Sequence, residues 1–326
     1  MGDYRSFAVM KTGVSHEKHG KKCQDFAHEH EDTGVVIAIV ADGHGNDNCF
    51  RSDNGAKFAV VCATEGIREF VKYLDESEED EDIPRKKNMS KEKLECCLRE
   101  RLIKYGIIQA WFKMAAEDFT KNPVTAEELE MTGEKYREKY SKGQDLHHAY
   151  GATLIAAAIT EDYWFGIHIG DGRLTALYPD GTFDQPVPWD EKCYLNVTTS
   201  ICDDDASERA RFYVAFHEDK TPPVAVFLCT DGVDDNYPVD ENEKHLFKLY
   251  RTIAITFAED GFESTDKQLK DLANSFATKG KGDDTSIAGF IDMEALKEVV
   301  PIWQKQIAEE EAEAVAEKNA TEESNE

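Results

Sequence analysis

Four aspartates stand beside apolar, strand-like runs of the sequence: Asp42, Asp171, Asp231 and Asp283. The first three directly follow the runs VVIAIVA, FGIHIG and VAVFLCT, and the fourth stands just before TSIAGFI. Strand ends are rigid, so four carboxylates there can be aimed at one point, where they would repel one another unless protons or cations neutralised them. Because no His or Cys accompanies them as a ligand, the pattern indicates hard ions, Mg²⁺ or Mn²⁺, rather than zinc.

Glycine follows three of these aspartates, and a histidine follows the first Asp-Gly pair. Glycine permits a sharp turn and lets a backbone carbonyl, such as that of Gly43, approach an ion. A strand followed by Asp-Gly is also a common turn signal, so one such pair more often marks a turn than a ligand. His44 alone is likewise typical of a turn. Repetition at four strand ends favours a functional site.

Strands and helices alternate in groups along the chain. Apolar runs predict strands at about 4–12, 35–41, 211–216, 224–230 and 285–291, and the stretch 151–178 predicts three successive antiparallel strands. Helical spacing predicts helices at about 54–74, 90–118, 242–259 and 264–278. Because the strands come in runs, the order favours an α+β fold of stacked antiparallel sheets covered by helices over a doubly wound parallel sheet.

No repeat or linker divides the chain, which predicts a single domain over 1–295 with a helical insertion at about 85–148. A C-terminal helix and an acidic tail are predicted for 296–326. Residues 75–82 carry seven acids, and we expect this run and the tail to be solvated.

The overall charge is strongly acidic, with 66 Asp and Glu against 38 Lys and Arg. Such a surface repels phosphate backbones and argues against nucleic-acid binding. The eight cysteines show no disulfide framework, and no apolar run is long enough for a bilayer. We therefore expect a cytoplasmic enzyme, monomeric and without a membrane partner.

Five motifs occur in an order that resembles the type 2C metal-dependent protein phosphatases. They are Asp42-Gly43-His44-Gly45, Gly151-Ala152-Thr153, Gly170-Asp171-Gly172-Arg173, Thr230-Asp231-Gly232 and Asp283-Asp284-Thr285-Ser286-Ile287. The resemblance runs from about residue 14 to residue 292 and looks most like the bacterial branch. It implies a four-layer αββα sandwich, two antiparallel sheets flanked by helices, and hydrolysis of phosphoserine or phosphothreonine in signalling proteins.

The resemblance also implies metal ligands. Asp42 would bridge two Mn²⁺ or Mg²⁺ ions, and Gly43 would bind one of them through its carbonyl. Asp231 and Asp283 would hold the other ion. A third, weaker ion would lie at Asp171 and Asp231.

Further roles follow from the resemblance. Two such ions would lower the pKa of a bridging water and give hydroxide for attack on phosphorus. His44 would act as the general acid for the leaving oxygen, with nearby carboxylates expected to favour its charged form. Asp25 matches an acidic position that binds metal directly or through water, and Asp235 matches an acid near the third ion.

The chain departs from the family pattern at the substrate phosphate. An arginine that grips phosphate in many members is Gly20 here, and a metal-binding glutamate of eukaryotic members is Gln24. Lys21 and Lys22 are the candidates to bind phosphate in its place, as point charges without a bidentate fork.

Two other functions remain open on the sequence. The departures at Gly20 and Gln24 leave room for a pseudo-phosphatase scaffold that binds phosphoproteins without turnover. A metal-dependent nuclease or small-molecule phosphoesterase would use similar ions. Elsewhere, His28 and His30 are expected in a loop and turn, as solvated histidines rather than a zinc site. Arg51 is a candidate to hold the loop from Asp42 to Asp53 through an ion pair, but exposed pairs are worth little and no function is assigned to it.

Overall fold

The computed structural model describes residues 2–76, 89–193 and 197–306. Most of the acidic run at 75–82 and the tail from residue 307 fall outside the described residues, so the predictions made for them stay predictions. Within the described parts, no helix is long and apolar enough to cross a bilayer.

Within the described residues, ten strands form two antiparallel five-stranded sheets. The strands are β1 (Tyr4–Lys11), β2 (Asp25–Asp32), β3 (Val35–Asp42), β4 (Leu154–Ile159), β5 (Tyr163–Ile169), β6 (Arg173–Leu177), β7 (Phe183–Asp184), β8 (Arg211–Phe216), β9 (Ala225–Cys229) and β10 (Thr285–Asp292). Sheet I has the order β1-β10-β9-β6-β7, and sheet II has the order β2-β3-β4-β5-β8.

Helices cover the outer face of each sheet. The α-helices are α1 (Val14–Lys18), α2 (Ser52–Glu76), α3 (Lys91–Cys97), α4 (Ala110–Lys121), α5 (Ala126–Met131), α6 (Glu134–Ser141), α7 (Ala206–Arg209), α8 (Asp231–Asp234), α9 (Asn242–Asp260) and α10 (Phe262–Lys279). A π-helical segment, Leu98–Gln109, joins α3 to α4, and short 3₁₀ turns span Asp47–Cys49, Leu146–Tyr150 and Val239–Glu241. Residues 293–306 are also helical.

Alternation along the strands builds the layers. On β3, Ile37 and Ile39 pack against the helices of the first half of the chain, whereas Val36 and Val40 face the other sheet. Helices α9 and α10 cover the outer face of sheet I. The predicted four-layer αββα sandwich is therefore confirmed. The domain boundary at residue 295 stays a prediction, although Trp303 beyond it is fully buried and donates a hydrogen bond to the Gly181 carbonyl at 2.8 Å.

Two sequence predictions about strands are wrong. The three strands expected over 151–178 do not lie side by side, because β4 pairs with β5 in sheet II while β6 pairs with β9 in sheet I. The chain crosses between the sheets at Asp171. His28 and His30 lie on the edge strand β2, paired with β3, and not in a loop.

Candidate active site

The four strand-end aspartates border one cleft, of about 1070 Å³, at the edge of the sandwich. Asp42 reaches the cleft from the end of β3 in sheet II, and Asp171 from the crossing between the sheets. Asp231 follows β9 and Asp283 precedes β10. Gly43, His44 and Asp235 also line it. The structure thus brings together most of the residues that the sequence predicted for a metal site.

Backbone hydrogen bonds hold Asp42 and Gly43 between neighbouring strands. The Asp42 N–H donates to Thr153 Oγ1 at 3.0 Å, and the Thr153 N–H donates to the Asp42 carbonyl at 2.7 Å. The Gly43 N–H donates to the Gln24 carbonyl at 3.0 Å. A Cβ atom on Gly43 would lie 2.5 Å from the Ser52 carbonyl oxygen, so a larger residue would displace this loop.

Asp25 lies behind Asp42 and does not line the cleft. The two residues face each other in the β2–β3 register, and their carboxyl groups are hydrogen-bonded. The Thr230 hydroxyl donates to Asp25 Oδ2 at 2.7 Å. Burial raises the pKa of Asp25 to about 7, and the Thr230 hydrogen bond opposes that rise. Its predicted contact with metal stays a prediction.

The carboxylates of the site make each other harder to ionise. Burial is the largest cause that raises the pKa of Asp42 and of Asp231 well above the usual value, and charge repulsion adds to it. The repelling neighbour of Asp42 is first Asp231, and that of Asp231 is first Asp171. Burial also raises the pKa of Asp171. We call Asp25, Asp42, Asp171, Asp231 and Asp283 the carboxylate cluster.

The donor chemistry of the carboxylate cluster fits hard cations. Among the described residues, no three His, Cys, Asp or Glu side chains converge closely enough to enclose an ion by themselves. Mg²⁺ keeps several waters and commonly binds through one or two carboxylates, so an open set of oxygens suits it. A bound cation stabilises the ionised form of buried carboxylates whose pKa values are raised. The particular ligand assignments stay predictions.

His44 is anchored by its backbone beside the cluster, where its N–H donates to the Gly151 carbonyl at 3.0 Å. Burial lowers the pKa of His44 to about 4, and the nearby Asp203 only partly opposes this effect. The expectation that neighbouring carboxylates favour the charged imidazole is therefore wrong, because the loss of water around the ring outweighs their attraction. At neutral pH the ring is uncharged.

Arg173 is a cleft residue whose contacts the sequence analysis missed. Its Nη2 lies 2.8 Å from Asp234 Oδ2, and its Nη1 donates to the carbonyls of Asp171 and Gly172. The guanidinium stacks 4.0 Å from the ring centroid of Trp189 at the cleft rim. Its place directly after the Gly170-Asp171-Gly172 run was the available signal.

The lysines predicted to bind phosphate lie beside the cleft. Lys21 Nζ donates to the Gly45 carbonyl at 3.4 Å, and Lys22 Nζ lies 3.5 Å from Asp53 Oδ2. Both line a second cavity of about 440 Å³, which shares Gln24, Gly45 and Asn46 with the cleft. Their assignment as phosphate ligands stays a prediction.

Asp235 and Gln24 both line the cleft. Lys281 Nζ donates to Asp235 Oδ2 at 2.9 Å. The Gln24 side-chain amide donates to the Ser52 hydroxyl at 2.9 Å, so this residue supports the loop behind Gly43.

Arg51 is buried, with 7% of its surface exposed. The expectation that an ion pair of Arg51 would be exposed and worth little is wrong, because the helical insertion covers this side chain. Its guanidinium binds the Glu128 carboxylate through Nε at 2.8 Å and through Nη2 at 3.0 Å.

Comparison with known protein families agrees with this fold and its acidic cleft. The family model described as protein phosphatase 2C matches residues 12–274. The chain therefore belongs to the protein phosphatase 2C family. This confirms the predicted family and the predicted enzyme class, a protein-serine/threonine phosphatase.

Solved structures of the same fold include bacterial members. A bacterial serine phosphatase is 14% identical with a TM-score of 0.50, over 90% of this chain and 98% of that chain. PppA, a regulatory component of the type VI secretion system of Pseudomonas aeruginosa, is 16% identical with a TM-score of 0.51, over 88% and 97%. A Caenorhabditis elegans sex-determining protein is 14% identical with a TM-score of 0.53, over 92% and 68%. No curated protein sequence matches the chain.

Proposed function

We propose that this enzyme hydrolyses phosphoserine and phosphothreonine in proteins with the help of Mn²⁺ or Mg²⁺. The observation that carries the proposal is the convergence of strand-end aspartates from both sheets on one cleft, in a member of the protein phosphatase 2C family. The raised pKa values of Asp42 and Asp231 support it, since a cation there would offset repulsion that the protein otherwise bears.

The proposed ligands follow the predicted roles. Asp42 and Gly43 would hold one ion, and Asp42 with Asp231 and Asp283 a second. Asp171 and Asp231 would share a third. Bound there, the ions would supply an activated water and neutralise charge on the phosphoryl oxygens.

Residues of the chain itself would position the Asp42 carboxyl and protonate the leaving oxygen. Thr230 and Asp25 hold the Asp42 carboxyl in place from behind. His44 lines the cleft and would give its ring proton to the departing serine or threonine oxygen. Because burial keeps the ring neutral at pH 7, we propose that the phosphate dianion raises the pKa of His44 on entering the cleft and so charges the imidazole.

The remaining proposals concern binding of the substrate phosphate, the third ion, and the oligomeric state and compartment of the enzyme. Lys21 and Lys22 would attract the substrate phosphate, and Asp235 would lie near the third ion. We propose that the enzyme is a cytoplasmic monomer that acts on phosphorylated signalling proteins, with 1–295 as the catalytic domain. All eight cysteines are free thiols, which supports a reducing compartment.

Turnover of phosphoserine and phosphothreonine peptides, measured with and without Mn²⁺, tests the proposal. We expect metal-dependent hydrolysis by the wild type and its loss in Asp231→Asn. Binding of the peptides without turnover would favour the pseudo-phosphatase scaffold instead. Better turnover of nucleotides or small phosphoesters than of peptides would refute the substrate class.

A further inference from the structure

The buried Arg51 joins the loop after β3 to the helical insertion. Besides Glu128, its Nη1 donates to the Asn122 carbonyl at 2.7 Å and to the Tyr150 hydroxyl at 3.0 Å. Its Nη2 also donates to the Pro123 carbonyl at 3.3 Å. One guanidinium thus fixes the turn between α4 and α5.

A second set of contacts ties the middle of the same loop to the insertion. The Asn48 side-chain oxygen accepts from the Gly133 N–H at 2.9 Å, and the Asn48 carbonyl accepts from the Tyr140 hydroxyl at 3.0 Å. The two contacts come from the start and the end of α6. The loop is therefore held at several points by residues that lie 71 to 92 positions away.

Both ends of the loop bind the segment that closes the insertion. The His44 N–H donates to the Gly151 carbonyl at 3.0 Å, and the Arg51 N–H donates to the Ala149 carbonyl at 2.8 Å. The His44 ring also packs on Gly151, because a Cβ atom there would lie 2.6 Å from His44 Cδ2. Tyr150, between these two carbonyls, receives the Arg51 hydrogen bond.

We propose that Arg51 is a positioning residue for His44. By locking residues 44–51 onto the insertion, it holds the imidazole where the leaving oxygen of the substrate departs. The inference rests on the proposed function of His44 as general acid. It gives the insertion a defined part in the reaction, the placement of the proton donor.

The dependence of turnover on the leaving group tests this placement. A p-nitrophenolate leaves without a proton, whereas a serine alkoxide needs one, so the ratio of kcat on a phosphoserine peptide to kcat on p-nitrophenyl phosphate reports proton donation. Arg51→Lys keeps the charge but loses the fork that grips Glu128. We expect it to lower this ratio by about tenfold, in the direction given by His44→Ala.

Two further variants make the result decisive. Tyr140→Phe removes one hydroxyl from the loop contacts while keeping the ring, and we expect it to lower the ratio by about threefold. Arg68→Lys changes a partly exposed arginine of α2 that pairs with Asp32 and Glu65, and we expect no change in the ratio.

The outcomes distinguish the positioning role of Arg51 from the general-acid role of His44. If His44→Ala lowers the ratio and neither Arg51→Lys nor Tyr140→Phe does, the positioning role is refuted and the proposed function stands. Equal losses on both substrates in the Arg51 and Tyr140 variants would also refute it, since they indicate general damage to the fold. If His44→Ala leaves the ratio unchanged, the general-acid role fails, and the positioning role fails with it.

Discussion

Replacing Arg173 with methionine should destabilise the protein in a pH-dependent way. Arg173 and Asp234 form an ion pair whose side chains are 14% and 4% exposed. Methionine fills similar volume but leaves the Asp234 carboxylate without its cation. Breaking a buried ion pair on one side costs about 3–5 kcal/mol when the remaining group stays charged.

The protonation state of Asp234 determines the pH range in which Arg173→Met lowers the free energy of unfolding. Burial raises the pKa of Asp234 to about 7, and Arg173 holds it down to that value. Without the arginine the pKa rises further. When the pKa of a carboxyl is raised in the folded state, the protein loses stability as the pH rises. The loss runs from the pKa of the unfolded state, about 3.9, through the pKa of the folded state. The loss on Arg173→Met should therefore be large at pH 8 and smaller at pH 5, where Asp234 is protonated in both proteins.

Urea unfolding at pH 5 and pH 8, with a chelator present to remove metal ions, measures the effect. The double variant Arg173→Met/Asp234→Asn serves as the matched control, because it removes the unpaired charge and should recover much of the pH 8 loss. A pH 8 loss below about 1 kcal/mol, as for an exposed pair, would refute the reasoning. So would equal losses at the two pH values.

Three further predictions concern stability. Gly232→Ala would place a Cβ atom 1.8 Å from the Asp284 carbonyl oxygen, and thermal unfolding should show a loss of at least about 2 kcal/mol, against less than about 1 kcal/mol for Gly133→Ala, where the nearest atom is 3.4 Å away. Trp303→Ala should cost about 3–5 kcal/mol in urea unfolding, and a cost near zero would show that the C-terminal helix is not part of the core. The metal-free enzyme should lose stability from about pH 4 to pH 7, because buried members of the carboxylate cluster have raised pKa values. Mn²⁺ should restore more stability at pH 8 than at pH 5 in urea unfolding, and equal restoration at the two pH values would contradict this.

Local sequence signals were enough to place the strand ends and the aspartates next to them. The run before Asp42 is apolar at every position because β3 is buried on both faces, and Asp-Gly marks the point at which such a strand stops. The edge strand β2 carried no such signal, since apart from Phe26 and Ala27 its residues are polar and largely exposed. Its pairing with β3 is a tertiary effect.

The contacts of the two arginines could not be deduced from the sequence. Arg51 meets Glu128, 77 positions away, and Arg173 meets Asp234 from a different segment of the chain. The neutral state of His44 depends in the same way on burial that only the folded chain creates. The sequence pattern predicted most of the residues that line the cleft, whereas their charge states and hydrogen-bond partners depend on packing between distant segments.

The central claim is that the aspartates at the strand ends bind divalent ions in one cleft. Equilibrium binding of Mn²⁺ by isothermal titration calorimetry, on the wild type and on Asp231→Asn, tests it most directly. We predict that the wild type binds at least two ions per chain and that Asp231→Asn binds fewer ions or binds them at least tenfold more weakly. Unchanged Mn²⁺ stoichiometry and affinity in Asp231→Asn, or no binding by the wild type, would contradict the account.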